Sequence, residues 1–182
     1  MTAIIEEVVL LDENNKPVGV IEKARVHHQQ TPLHLAFSCY ILNDKGQILL
    51  TRRSLNKKAW PGVWTNSVCG HPLPGEPMAA AVTRRCQYEL GLQVQKIEML
   101  LPEFSYVAQD ASGIMENEFC PVFKAYCQTP PAPLADEVMD WHWVNLSDLL
   151  LAVSATPWAF SPWMVAQLKA LEEAGHIEAQ AA

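Results

Sequence analysis

Between Pro77 and Gly91 the chain carries the punctuation of one helix, a proline in its first turn and a glycine just past its last. Nearly everything around it reads as short strands. Strand-like runs precede it at Ile4 to Leu11, Val18 to Glu22, His34 to Leu42 and Gln47 to Arg53, the last two joined by the turn Asn43-Asp44-Lys45-Gly46. They resume at Val94 to Leu101, Phe104 to Val107, Met115 to Tyr126 and Val138 to Val144, with Asp110 to Gly113 as a turn. Further helices start at Asn145 and at Ser161-Pro162. Many strands around a few helices give an α+β fold, and 182 residues suit one domain spanning 1–182. The proline-rich stretch Pro130 to Pro133 reads as a surface loop rather than a linker.

Composition narrows the functional classes. A net charge of -7 argues against a broad nucleic-acid surface or an anionic-membrane surface. Met1 to Leu11 has no basic start, and no apolar run reaches bilayer length, so neither a signal peptide nor a membrane span is expected. Cys39, Cys69, Cys86, Cys120 and Cys127 are odd in number and form no Cys-x-x-Cys pair, which favours a reduced, cytoplasmic setting.

Two groups of residues carry chemistry. Glu116 and Glu118 are two apart on an expected strand and so share a face. Side-by-side carboxylates repel unless a cation or a proton lies between them, which leaves metal binding or acid–base work, or else a solvated strand edge. Phe119, Cys120, Pro121, Val122 and Phe123 follow directly and carry the strand toward a core. His27, His34 and His71 would complete a donor set of imidazoles and carboxylates suited to Mn²⁺, Mg²⁺ or Zn²⁺. Their spacing has no signature of its own.

The second group runs from Gly70 through Glu76 and Arg84 to Glu89-Leu90-Gly91-Leu92. It resembles the Nudix box, a loop–helix–loop that holds a divalent metal against a diphosphate. Where Nudix hydrolases place two further glutamates, this chain has Arg85 and Tyr88. The segment is therefore expected to bind a diphosphate without the carboxylates that would cleave it, and Glu89 remains to hold one Mg²⁺. An ordinary amphipathic helix with a surface Glu76 is the plain alternative.

Three blocks take the resemblance further: Trp64-Thr65-Asn66-Ser67-Val68-Cys69-Gly70-His71-Pro72, Glu116-Asn117-Glu118, and Thr156-Pro157-Trp158 through Ser161-Pro162-Trp163. Together they resemble the type I isopentenyl diphosphate isomerases over about Lys23 to Trp163, in the order and spacing of a bacterial member. The resemblance implies a Nudix-like mixed β-sheet or sandwich core flanked by helices. It implies that Cys69 and Glu118 move protons on opposite faces of the isopentenyl group through a tertiary-carbocation-like state. It further implies Tyr106 beside Glu118 and the Trp163 ring against the developing charge. A divalent metal would sit among His27, His34, His71, Glu116 and Glu118. Lys23, Arg53, Lys57 and Arg85 would take the diphosphate, and Glu89 with the Cys69 carbonyl its Mg²⁺. The only partner implied is the small diphosphate substrate, and nothing demands more than a monomer. A Nudix pyrophosphohydrolase and a non-catalytic Nudix-like module are the rivals. Arg85 and Tyr88 weigh against the first; the second gives no reason for Cys69 to face Glu118.

Overall fold

Unbroken burial from Phe37 to Ile41 shows how the molecule is layered. The computed structural model describes residues 6–178; Ile4 and Ile5 of the first expected strand lie outside them. In chain order the elements are β1 (Glu7–Leu11), β2 (Pro17–Glu22), α1 (Lys23–Val26), β3 (His34–Leu35), β4 (Phe37–Leu42), β5 (Ile48–Arg53), β6 (Trp64–Thr65), β7 (Val68–Gly70), α2 (Met78–Leu90), β8 (Gln95–Leu101), β9 (Ser105–Gln109), β10 (Met115–Phe119), β11 (Val122–Tyr126), β12 (Val138–Val144), α3 (Leu146–Ala155) and α4 (Pro162–Glu173), with a 3-10 turn at Pro157–Ala159.

These strands form two mixed sheets. One runs β2-β1-β3-β10-β9; the other runs β12-β5-β4-β11-β8, with β6 on β5 and β7 on β4. The larger sheet is covered on both faces. Phe37, Cys39 and Ile41 of β4 pack with Ala81, Val82, Cys86 and Leu90 of α2. Tyr40 from the other face packs with Leu149 and Val153 of α3 and Met164 and Leu168 of α4. A strand buried on both faces is apolar throughout, which is why β4 shows no polar alternation in the sequence. Each of the large aliphatic side chains contributes roughly 1.5–3 kcal/mol by its burial.

Helix α2 begins and ends where its punctuation predicts. Pro77 is its N-cap, and Gly91 adopts φ 64°. The Leu92 N–H reaches Cys86 O at 3.2 Å and the Gly91 N–H reaches Gln87 O at 3.0 Å, closing the last turn. A Cβ on Gly91 would also stand 3.0 Å from Ala132 O, so the proline-rich loop closes directly over the helix end. The buried stripe of α2 contains Arg85 and Glu89 among its apolar residues. Charged groups do not enter such a stripe unless paired or facing a polar cavity.

Two expected strands prove to be four. The run 34–42 divides at Ala36, leaving β3 in the smaller sheet and β4 in the larger. The run 115–126 divides at Cys120-Pro121 in the same way. Proline has no N–H to give a ladder, so the strand changes sheet there. The crossings run side by side: β3 pairs with β10 and β4 with β11, both parallel. Ala36 N–H donates to Phe119 O at 2.9 Å and Ser38 N–H to Pro121 O at 3.1 Å. The expected 34–53 hairpin is correspondingly loose, since β4 meets β5 in register only at Leu42 and Ile48 before turning to β7.

Candidate functional site

The seam between the sheets brings the histidines together. His34 starts β3 opposite Glu118 of β10, His71 follows β7, and His27 caps α1. One donor atom from each of His27, His34, His71 and Glu118 falls within 4.8 Å of all the others. His34 Nε2 and His71 Nε2 each lie 3.4 Å from Glu118 Oε1. The His34 Nδ1–H donates to the Pro32 carbonyl at 2.9 Å, and a carbonyl only accepts, so the Nε2 lone pair is the one aimed into the cluster. Glu116 stands at the margin, its Oε2 2.9 Å from His27 Nε2 but without hydrogen-bond alignment.

The state of these nitrogens is informative. His27 Nε2, His34 Nε2 and both ring nitrogens of His71 are buried and lack any hydrogen-bond partner, as does Glu116 Oε2. Each unsatisfied group costs about 1–3 kcal/mol unless something binds it. Burial pushes His27 down to about 4 and His71 down to about 3, so both are neutral donors. Burial works against ionising Glu118, yet the His34 and His71 rings close beside it outweigh burial and hold that carboxyl well below its usual value. Burial and then the charge of Glu118 drive Glu116 well above it. The neutral His27 and His71 rings, converging with the His34 ring and an ionised carboxylate, are a donor set for a divalent cation.

Above this cluster lies a cavity of about 560 Å³. Every residue that the isomerase resemblance assigned a role lines it except His34, which is fully buried beneath. Cys69 of β7 reaches it from the larger sheet and Glu118 of β10 from the smaller. Burial raises the Cys69 thiol to about 11, against the effect of the Ser38 hydroxyl. Tyr106 O–H donates to Glu118 Oε2 at 2.9 Å. Its ring lies 5.7 Å from Trp163, whose other neighbours are Trp60, edge-on at 5.5 Å, and the Arg53 guanidinium at 5.5 Å.

Lys23, Arg53, Lys57 and Arg85 line the same cavity. Lys23 pairs with Glu6 at 2.5 Å, Lys57 with Glu137, and Arg85 with Glu89 through two nitrogens, with Glu137 at 3.6 Å. Glu6 and Glu137 carry no sequence pattern that would have marked them. Lys58 is exposed at the cavity edge and donates to Ala24 O at 3.2 Å. Glu76 faces neither the cavity nor a ligand: it accepts from Arg84 at 2.8 and 2.7 Å and from Leu73 N–H at 2.8 Å, fastening the loop before α2 to the helix. Tyr88, in place of a hydrolase glutamate, is exposed with the Arg85 guanidinium 4.9 Å from its ring.

Comparison with known proteins gives a consistent picture. The NUDIX domain family model matches residues 32–164. A Klebsiella pneumoniae protein named isopentenyl-diphosphate Delta-isomerase is 58% identical over 160 residues, 88% of this chain and 87% of that protein. One of the same name from Agromyces mediolanus is 53% identical over 176 residues, 96% of this chain and 85% of its own. Among solved structures, a Deinococcus radiodurans protein superposes with a TM-score of 0.70 at 20% identity, covering 91% of this chain and 98% of its own. A Methanosarcina mazei MutT protein gives 0.62 at 19% identity, over 80% and 97%. At those identities the two structures speak for the fold alone.

Proposed function

We propose that this chain, which belongs to the isopentenyl-diphosphate Delta-isomerase family of Nudix-domain proteins, moves the double bond through Cys69 and Glu118. The chain converts isopentenyl diphosphate to dimethylallyl diphosphate in isoprenoid biosynthesis; the parts its residues play are the proposal. The observation that carries it is the arrival of Cys69 and Glu118 at one cavity from two different sheets, with basic residues lining that cavity too.

The alkene is a very weak base, so its acid must be held close. One of the two groups gives a proton to the terminal alkene carbon, leaving positive charge at C3. The other takes a proton from C2, and the double bond forms between C2 and C3. The proton count balances, and the pair ends with its protonation exchanged. Tyr106 holds Glu118 through the 2.9 Å hydrogen bond. Trp163, 2% exposed, presents its ring to the charge and keeps out water that would trap the cation as an alcohol. His27, His34, His71 and Glu118, with Glu116 beside them, would hold a divalent ion, Mn²⁺, Mg²⁺ or Zn²⁺. Such an ion, when bound, fixes the geometry of Glu118 and changes the proton affinity of its free oxygen.

Lys23, Arg53, Lys57 and Arg85 take the diphosphate in this reading. Glu89 would meet the Mg²⁺ that arrives with it, which requires Arg85 to turn from Glu89 to phosphate. Arg85 thus replaces a metal ligand of the hydrolases with a bidentate phosphate donor. The enzyme is proposed to act as one domain over residues 1–182, as a monomer in the cytoplasm, on a small-molecule substrate alone.

Incubation with isopentenyl diphosphate and Mg²⁺ in D₂O, followed by proton NMR, tests the assignment. Deuterium should enter the dimethylallyl product with the wild type and not with Cys69→Ala or Glu118→Gln. Turnover at the wild-type rate in either variant would refute the role of that residue.

A further inference from the structure

Behind the cavity wall lie three wholly buried polar side chains that the reaction described above leaves unused: Ser38, Asn66 and Gln167. Asn66 lies between β6 and β7. Its Nδ2 donates to the carbonyls of Cys39 at 3.2 Å and Val68 at 3.0 Å. Carbonyls only accept, so that end is the amide nitrogen and the other end the oxygen. The Asn66 Oδ1 accepts the indole N–H of Trp163 at 3.0 Å and the Thr65 hydroxyl at 2.9 Å. An indole N–H only donates, which fixes the same orientation independently. Cys69 Sγ lies 3.3 Å from that same oxygen. It can meet an atom that only accepts solely as an S–H donor.

We propose that Asn66 is a positioning residue for the isomerisation, its amide oxygen holding the Cys69 thiol and the Trp163 ring in fixed relation to each other. Those two groups come from segments far apart in the chain, Asn66 and Trp163 being separated by 97 positions. A shared acceptor indexes them to one point. The helix carrying Trp163 is fastened to the same segment, since Thr65 Oγ1 meets Ser161 Oγ at 2.7 Å and Ser161 N–H donates to Trp64 O at 2.9 Å. Ser38 completes the setting from the other side of the sulfur. Its hydroxyl accepts from Gln167 at 2.8 Å and lies 3.3 Å from Cys69 Sγ and 3.4 Å from Cys120 Sγ, so its own proton is free for a thiol sulfur. The inference rests on Cys69 and Trp163 acting as proposed above.

Infrared difference spectra of wild type against Cys69→Ala isolate the S–H stretch of Cys69. The band is expected at a hydrogen-bonded position, to move to that of a free thiol in Asn66→Ala, and to stay hydrogen-bonded in Ser38→Ala. In the assay, Asn66→Ala should lose kcat by on the order of a hundredfold, as misplacement of a reacting group does, with a smaller change in KM, since Asn66 bonds none of the basic residues proposed to take the diphosphate. Because Trp163→Phe lacks the N–H, its loss combined with that of Asn66→Ala should be smaller than the product of the two. A free-thiol band in the wild type, or wild-type kcat per folded molecule in Asn66→Ala, would overturn the proposal. If Asn66→Ala does not fold, the wild-type band decides alone. Full activity of Cys69→Ala would instead refute the catalytic reading and leave the band unaffected, so the two failures are distinguishable.

Discussion

Replacing His71 by leucine should stabilise the metal-free protein and shrink the further stabilisation that a bound metal brings. Both ring nitrogens of His71 are buried without partners, and burial keeps the ring neutral. Leucine has similar bulk and no polar atom, so the variant escapes a penalty of about 1–3 kcal/mol for each unsatisfied group. For a chain of 182 residues each kcal/mol moves the melting temperature by roughly 2–4 °C. The metal-stripped variant should therefore melt at least a few degrees above the stripped wild type. The rise on loading is where the variant should fall short. Mn²⁺ at a hundredfold excess over its dissociation constant stabilises the wild type by about 2.7 kcal/mol, or roughly 5–11 °C. Loss of one donor that weakened binding about a hundredfold, the upper range even for supporting residues, would leave about 0.4 kcal/mol. Scanning calorimetry with EDTA and then with Mn²⁺ measures all four temperatures. An equal metal-induced rise in wild type and His71→Leu would refute the assignment of this cluster as a metal site.

Other perturbations test the basic residues of the cavity. Burial lowers Lys57 to about 8 despite the carboxylates of Glu89 and Glu137, so its charge is present below that value and lost as pH rises through it. KM for the diphosphate should climb above about pH 8 in wild type, and Lys57→Arg, which stays charged, should flatten the profile. Gly70→Ala places a Cβ 2.7 Å from Arg85 Cγ and 3.1 Å from the Phe37 ring, so Arg85 must shift and KM should rise more than kcat falls in steady-state assays. Arg85→Glu sets two carboxylates together in a buried stripe; urea denaturation should show a loss of about 3–5 kcal/mol, as when a buried pair is broken. Restored phosphate release from nucleotide diphosphates by that variant would show that the glutamate alone separates the two chemistries.

Much of this was legible in the residues because the physics involved is local. The Pro77 and Gly91 signals end α2 through backbone geometry that needs no tertiary partner. Glu116 and Glu118 share a face through strand periodicity alone, and both prove buried. The convergence of His27, His34 and His71 was supplied by resemblance, since histidines on a helix cap, a strand start and a strand end have no common period. The sheet crossings were hidden because β3–β4 and β10–β11 each read as one strand, and nothing in a pleat records which neighbour its hydrogen bonds find. The strands β6 and β7 are too short for any alternation to show. Asn66 escaped notice because its importance lies in having every donor and acceptor matched, which is a property of its surroundings.

The paired crossings at Ala36 and Cys120-Pro121 give the site a mechanical meaning. His34 and Glu118 stand just before the crossings, Ser38 and Val122 just after, so the chemistry is set in the joint between the two halves of the molecule rather than on the rim of either. A cation held there would act as a rivet, tying the smaller sheet to the larger one where β3–β4 and β10–β11 cross between them. Inheritance of the joint and of the reaction would then be linked: a descendant that abandoned the histidines would lose that added fastening along with the ion, whereas one that altered the loops around the cavity mouth would be free to change what enters.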